Sequence, residues 1–487
     1  MVYKLPICFL SVGIVGCCCG LFLVPYIFHV VLKDIVTKIM VISPSSQIYD
    51  AWKNADVPIV ENFYFFEVLN PEDALNGLKP QLKERGPYAY RITMPKVNIS
   101  FFENKTVSFQ NRYTYTFDES LSAGPENDTF MMINIPVATM VTMLEDLPRF
   151  IKASMSLTLK ELGEEMFVEM SPKKLMWGYE DALFKFIRSI TGDLFIPSDI
   201  FGLFIGRNNT GVGMFNIETG ERNKSEVNNI NTWKYMKELP WWLGYAKMIN
   251  GTDGFMYHSF LSKDETLYLF NADLCRSVSY KYKRDTQLSG VPLWLFALDH
   301  FTYANSTIYP PNAEFCSENC PPSGTFPVAK CRDNSPISIS NPHFLDGTEQ
   351  LQNSVGGLHP NEKYHLNFLS LENIMGMPFE LAIRIQLNIQ TIKSSSIKQT
   401  GNIQTLQFPI LWFEEIVTVD NDTVKQYNDG IGLALTCSNV VKYVMTGISA
   451  LLVMIAVIIF TRKERLTKKM KAETKSVQTT EKTPLLN

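Results

Sequence analysis

The sequence predicts an α+β fold in which two membrane-spanning helices, one near each end, flank one large glycosylated domain. Three observations predict it. Two uncharged apolar runs stand near the ends of the 487-residue chain. The stretch between them alternates with the period of a strand in some places and of a helix in others. All eight Asn-x-Ser/Thr acceptors lie between the two runs, as glycosylation of a translocated domain requires.

The first run, Leu5–Leu32, contains no Asp, Glu, Lys or Arg, and about 20 apolar residues suffice to cross a bilayer core. A cleaved signal would have an apolar core of about 7–15 residues ending in small side chains. This run is longer and ends in Val30-Val31-Leu32-Lys33, so it reads as an uncleaved anchor. Within it, Gly16-x-x-x-Gly20 marks a close helix-packing face. The second run, Tyr443–Thr461, is followed at once by Arg462, Lys463, Arg465, Lys468, Lys469 and Lys471. Basic residues beside a span stay in the cytosol. Lys4 agrees with an N-terminus on the same side. The segments are therefore 1–4, a cytosolic N-terminus; 5–32, the first span; 33–442, the lumenal or extracellular domain; 443–461, the second span; and 462–487, a cytosolic tail.

The domain between the spans carries acceptors at Asn98, Asn104, Asn127, Asn208, Asn223, Asn250, Asn305 and Asn421. Of the nine cysteines, Cys8, Cys17, Cys18 and Cys19 lie in the first span and Cys437 precedes the second. The four in the middle, Cys275, Cys316, Cys320 and Cys331, suggest two disulfides in an oxidising compartment, with three possible pairings. The nested choice joins Cys275 to Cys331 and Cys316 to Cys320. A zinc site would want a Cys-x-x-Cys or a close histidine pair, and neither accompanies them.

Strand signals come first. Val97, Ile99 and Phe101 alternate with polar residues, a Glu-Asn-Lys turn follows, and Val107 and Phe109, then Tyr113, Tyr115 and Phe117, continue the pattern. Leu381, Ile383, Ile385, Leu387 and Ile389 alternate with Arg384, Gln386, Asn388 and Gln390, the clearest strand in the chain. Between these β-rich parts, about residues 143–190, the period changes to a helical one. Ile151, Met155, Leu159, Leu162 and Met166 form one apolar stripe. Ser171 and Pro172 then read as an N-cap and first helical residue, with Met176, Tyr179, Leu183 and Phe186 as a second stripe ending at Thr191-Gly192. Lys152, Lys160, Lys173 and Lys174 offer this small bundle a basic docking surface; ordinary solvated helix faces are the competing reading.

Charge and motifs exclude several function classes. The net charge is −4. From Arg462 onward eight Lys/Arg stand against three Asp/Glu, a balance of +5 that leaves −9 on the rest. A basic tail on an acidic body is not a nucleic-acid surface. No metalloprotease helix, nucleophile elbow or phosphate-binding glycine loop occurs, and His359 and His365 are spaced wrongly for a helical metal pair. No catalysis, metal or cofactor is expected. An ectoenzyme such as a nucleotide phosphohydrolase would need phosphate loops that are missing, and a trimeric channel would need polar pore positions in its spans.

The ordered set Gly86-Pro-Tyr-Ala-Tyr-Arg91, Glu103-Asn-Lys-Thr-Val-Ser-Phe109, Trp177-Gly-Tyr-Glu-Asp181, Phe201-Gly-Leu-Phe204, Asn250-Gly-Thr-Asp-Gly254, Asp273-Leu-Cys-Arg276, Asn341-Pro-His-Phe344 and His359-Pro-Asn361 resembles the class B scavenger receptor family over essentially the whole chain. The resemblance implies an antiparallel β-barrel capped by an apical helical bundle, with an apolar tunnel running towards the membrane. It also implies lipid partners (cholesterol, phospholipid, fatty acid). Glu481 four positions before Leu485-Leu486 resembles the acidic dileucine signal that clathrin adaptors read, which points to the lysosomal integral membrane protein branch and to the membrane of lysosomes and late endosomes. The alternative is a cell-surface receptor for lipoprotein or lipid at the plasma membrane. That branch also carries a lysosomal glycosidase on its apical helices. Acid-triggered release would most simply use histidine, and residues 143–190 contain none, so lipid transport is the preferred expectation.

Overall fold

The structure, a computed structural model, describes residues 4–54, 59–194, 196, 198–316, 320–332 and 335–480. The chain divides into two compact units, Met1–Val36 with Asn421–Asn487, and Thr37–Asp420.

In the first unit, helix α1 (Lys4–Cys18) continues through a π turn at Cys19–Leu23 into α2 (Val24–Ile39). The C-terminal helix, Leu433–Thr480, packs along α1. Leu5–Ile39 and Asn421–Thr474 are each long and apolar enough to cross a membrane. The expected small-residue face is where they meet. A Cβ added at Gly13 would lie 2.7 Å from Val453 Cγ2, one at Gly20 would lie 2.8 Å from Thr446 Oγ1, and one at Gly16 would overlap Ser449. Without a hydrophobic drive in lipid, such close backbone approach is what holds helices together.

The second unit is built on an antiparallel sheet of eleven strands. Nine run along one path: β1 (Ile59–Val68), β2 (Leu82–Thr93), β3 (Thr114–Phe117), β4 (Thr266–Asn271), β5 (Arg276–Leu288), β6 (Val291–Leu298), β7 (Phe368–Glu372), β8 (Met377–Thr391) and β9 (Leu406–Thr418). Their spatial order is β4-β5-β6-β7-β8-β9-β1-β2-β3. No pairing joins β4 to β3 among the described residues, so the closed barrel expected from the resemblance is not found. The α+β class, the large antiparallel sheet and the two apolar terminal helices are.

β8 is the alternating strand read from the sequence, extended to fifteen residues. Its polar positions are buried as well: Gln386 and Asn388 are fully covered, and Gln386 donates to Asn388 Oδ1 at 2.7 Å. A central strand packed on both faces must satisfy its polar side chains internally. The hairpin at Lys96–Phe101 and Thr106–Asn111 forms as expected but belongs to a separate four-stranded sheet, whereas Thr114–Phe117 joins the main one. In that hairpin Lys96 is buried along with Val107 and Phe109. The Lys96 ammonium sits 3.6 Å from Asp253 and over the rings of Trp52, Phe109 and Phe255.

The helical insert departs from its expected form. Helix α4 (Arg149–Leu162) is the first expected helix, ending before Met166, α5 (Pro172–Trp177) and α6 (Ala182–Thr191) stand where one second helix was expected, and α6 contacts both α4 and the preceding α3 (Ile135–Met143). Ser171 caps α5 by accepting the Lys174 N–H, as its position suggested. Gly178, at φ 116°, then ends that helix, and Asp181 caps a new one through the Phe184 N–H. On α4, Leu159 is buried, but so is Ser156, which donates to Gln399. A specific hydrogen bond has outweighed the apolar stripe in setting the helix face.

Candidate functional sites

Successive residues of β9 point to opposite sides of the sheet, and the two sides hold different chemistry. On one side, Asn62, Tyr64, Arg384 and Gln386 stand opposite Glu414 and Trp412 through the pairings of β1 and β8 with β9. Arg384 Nε donates to Glu414 Oε2 at 2.9 Å, and the Tyr64 hydroxyl donates to Glu414 Oε1 at 3.1 Å. Trp412 stacks on Tyr64 at 4.0 Å and meets His343 and His365 edge-on. Those two imidazoles are parallel, 4.4 Å apart and buried.

Hydrogen bonds settle the tautomers here. His343 Nδ1 accepts the His359 N–H at 3.0 Å, so Nε2 carries the proton that bonds Glu84 Oε2 at 2.7 Å. Trp412 Nε1 donates to the same oxygen. Burial alone would raise Glu84, but these donors hold its carboxyl below the usual range. His365 Nδ1 accepts the Asn361 N–H, and burial, with His343 beside it, pushes this ring down to about 4. His343 and Phe344 have φ values of 53° and 55°, rare for bulky side chains. The fully buried Gln386 holds this turn by accepting the His343 N–H. His365 is thus held by its ring stacking and the Asn361 bond, and its partner His343 carried no periodic signal.

On the other side of β9, Phe413 packs with Phe63 and Phe204, and Phe63 meets Tyr90 edge-on. In register with each other, Glu61 of β1 and Glu415 of β9 stand among these rings. Burial first, then the charge of Glu415, raises Glu61 well above the ordinary carboxylate range. Burial, then Asp273, pushes Glu415 up to about 7.

The residues singled out from the sequence fall as follows. Disulfides join Cys275 to Cys331 and Cys316 to Cys320. A cavity of about 20 Å³, water-sized, lies beside the second, lined by Thr302, Asn305 and Phe326 among others. Six acceptors, Asn98, Asn104, Asn127, Asn208, Asn223 and Asn421, are exposed. Asn250 and Asn305 are half-buried, and Asn305 Nδ2 already donates to Pro321 O at 2.7 Å. Lys152 and Lys160 lie on α4, Lys173 and Lys174 on α5. Lys152 Nζ donates to the Glu145 carbonyl and Lys173 pairs with Glu126 at 3.5 Å. Across 143–190, seven Lys/Arg face eight Asp/Glu, so the segment as a whole is not basic. Its outward apolar residues include Phe150 at 73% exposure and Leu157 at 64%, which lie off the apolar stripe of α4. Glu481, Leu485 and Leu486 lie outside the described residues.

Comparison with known proteins adds the following. The model described as the CD36 family matches residues 11–460. Scavenger receptor class B member 1 of Rattus norvegicus is 34% identical over 452 residues, covering 92% of this chain and 88% of that protein. Lysosome membrane protein 2 of the same species is 34% identical over 428 residues, 87% of this chain and 88% of that protein. The Homo sapiens form of the latter is 32% identical over the same length and shares.

Proposed function

Because this chain belongs to the CD36 family, we propose that it is a two-span membrane receptor that binds lipid on its large domain and delivers it to the membrane. The match over residues 11–460 carries this reading, since it reaches into both apolar terminal helices as well as the domain. Cholesterol, phospholipid and fatty acid are the ligands of choice, moving through an apolar passage in the domain. Such transfer makes and breaks no covalent bond and needs no catalytic group. Both termini face the cytosol, and residues 33–442 face the lumen, with glycans on the exposed acceptors.

The finer reading places the protein in the lysosomal and late endosomal membrane. The acidic dileucine of the tail supports it: two leucines enter an apolar pocket of a clathrin adaptor while Glu481 meets a basic patch. A protein ligand such as a lysosomal glycosidase would meet Phe150 and Leu157 with Lys160 at their edge, rather than a basic face. The second reading is a plasma-membrane lipoprotein receptor, favoured by the equal identity to scavenger receptor class B member 1.

Mass spectrometry of lipid co-purifying with the full-length glycoprotein tests the core of this proposal. Bound sterol, phospholipid or fatty acid is expected, and lipid-free protein that also fails to take up sterol from vesicles would overturn it. Replacing Leu485 and Leu486 with alanine separates the locations: the lysosomal reading expects surface accumulation after normal Golgi processing. Unchanged distribution would favour the other.

A further inference from the structure

The two ends of the open sheet are tied together by side chains. At one end, the turn after β4 carries Asp273, whose backbone N–H donates to Asn271 Oδ1. Arg332, next to Cys331, donates to the Ala272 and Asp273 carbonyls and pairs with the Asp273 carboxylate at 3.3 Å. The Cys275–Cys331 disulfide holds that arginine against the turn. At the other end, the loop after Phe204 adds to β3: Tyr113 N–H donates to Thr210 O, and Tyr115 N–H donates to Asn208 Oδ1. Arg207 reaches from this loop to grip both oxygens of Asp273, with Nη1 to Oδ2 at 3.1 Å. The hydrogen-bond path of the sheet is open, but an Arg–Asp–Arg bridge spans its ends.

Two further carboxyls lie near this bridge: Arg207 sits 4.9 Å over the Phe204 ring, and Phe204 packs on Phe63 and Phe413, each two residues along its strand from Glu61 and Glu415. Glu61 and Glu415 lie directly opposite each other on β1 and β9. Arg207 draws Glu61 towards ionisation, while Asp273 opposes ionisation of both. Asp273 also acts on Tyr113, as do Glu415 and Asp253. Asp273 itself is penalised by burial and held ionised by Arg207 and Arg332. Three carboxylates thus share two guanidinium groups, and with all three ionised one negative charge is uncompensated. Like charges opposed across a strand pair destabilise it.

We propose that Glu61, Glu415 and the Arg207–Asp273–Arg332 triad form a proton-operated latch joining the turn after β4 to the β3 end of the sheet. With a proton on the Glu61/Glu415 pair, the arginines serve Asp273 alone and the seam is closed. Loss of protons sets repelling carboxylates against Asp273 and draws Arg207 towards Glu61, which loosens the seam. Acid closes the latch and neutral pH relaxes it. The proposal rests on strand register and ion pairing and is independent of the lipid reading.

Hydrogen exchange on the full-length protein in nanodiscs tests it, at about pH 5 and about pH 7.5 with the intrinsic pH dependence removed. Peptides covering 205–211 and 271–276 should exchange on the order of fivefold faster at the higher pH, whereas β8 should not change. The Glu61→Gln/Glu415→Gln double variant should abolish the difference. Glu415→Gln alone removes the charge that opposes ionisation of Glu61, so it should move the transition to lower pH. Equal wild-type protection at both pH values would overturn the latch. So would a pH difference that survives the double variant, or, should that variant not fold, a midpoint unmoved by Glu415→Gln.

Discussion

Glu414 and Glu415 are neighbours on one strand, yet they occupy opposite electrostatic worlds. Glu414 faces Arg384, Tyr64 and Asn62 and accepts a hydrogen bond from each. Glu415 faces Glu61 across the sheet among aromatic rings and is held up at about 7. The same contrast extends around them: His365 on the Glu414 side is pushed down to about 4, whereas Glu61 on the Glu415 side is pushed up. Burial drives both shifts, because it disfavours whichever form is charged. The difference between the faces lies in whether a partner of opposite sign was buried too.

The largest effect should come from removing a partner. Glu414→Gln leaves Arg384 buried without its carboxylate, which costs about 3–5 kcal/mol. Chemical denaturation at neutral pH should show that loss, while Glu415→Gln one residue away should be neutral or stabilising. Equal losses would erase the distinction between the faces.

Next comes pH. Unfolded glutamate titrates near pH 4.3 and folded Glu415 near 7, so between these values the folded chain keeps a proton that the unfolded chain has shed. Stability therefore falls as pH rises through that window, by up to about 4 kcal/mol, and Glu61 acts in the same direction. The wild-type midpoint of thermal unfolding should be higher at about pH 5 than at about pH 7.5. Glu415→Gln should reduce that difference.

His365 works the other way. An unfolded imidazole protonates near pH 6.5 and the folded one only near 4, so its contribution is lost as pH falls between them. His365→Phe keeps a ring against His343 and Trp412 but gives up the Asn361 bond. Its melting temperature should fall less than that of wild type between pH 6.5 and 4, even if it starts lower. The smallest change expected is Tyr64→Phe, which removes one hydrogen bond to Glu414 and should cost about 1 kcal/mol, with no new pH dependence below pH 8.

The sequence by itself determined what local chemistry encodes. An uncharged run long enough to span a bilayer, an alternating strand at 381–389, a Ser-Pro helix start and acceptors confined between two spans are each properties of neighbouring residues. Even Gly16-x-x-x-Gly20 announced a packing face before its partners Ser449 and Thr446 were known. The tertiary structure alone decided the rest. Gly178 split the expected second helix because its φ of 116° is compatible with a turn and not with a continuing helix. Lys96 and Ser156 went inside because Asp253 and Gln399 were there to meet them. The sheet ended as an open path bridged by ions where a closed barrel was expected. The two faces of β9 assemble residues as far apart as Tyr64 and Glu414, 350 positions along the chain. Periodicity reports which side of an element is apolar, but a buried carboxyl's charge depends on what another strand brings opposite it, and that is settled only by register.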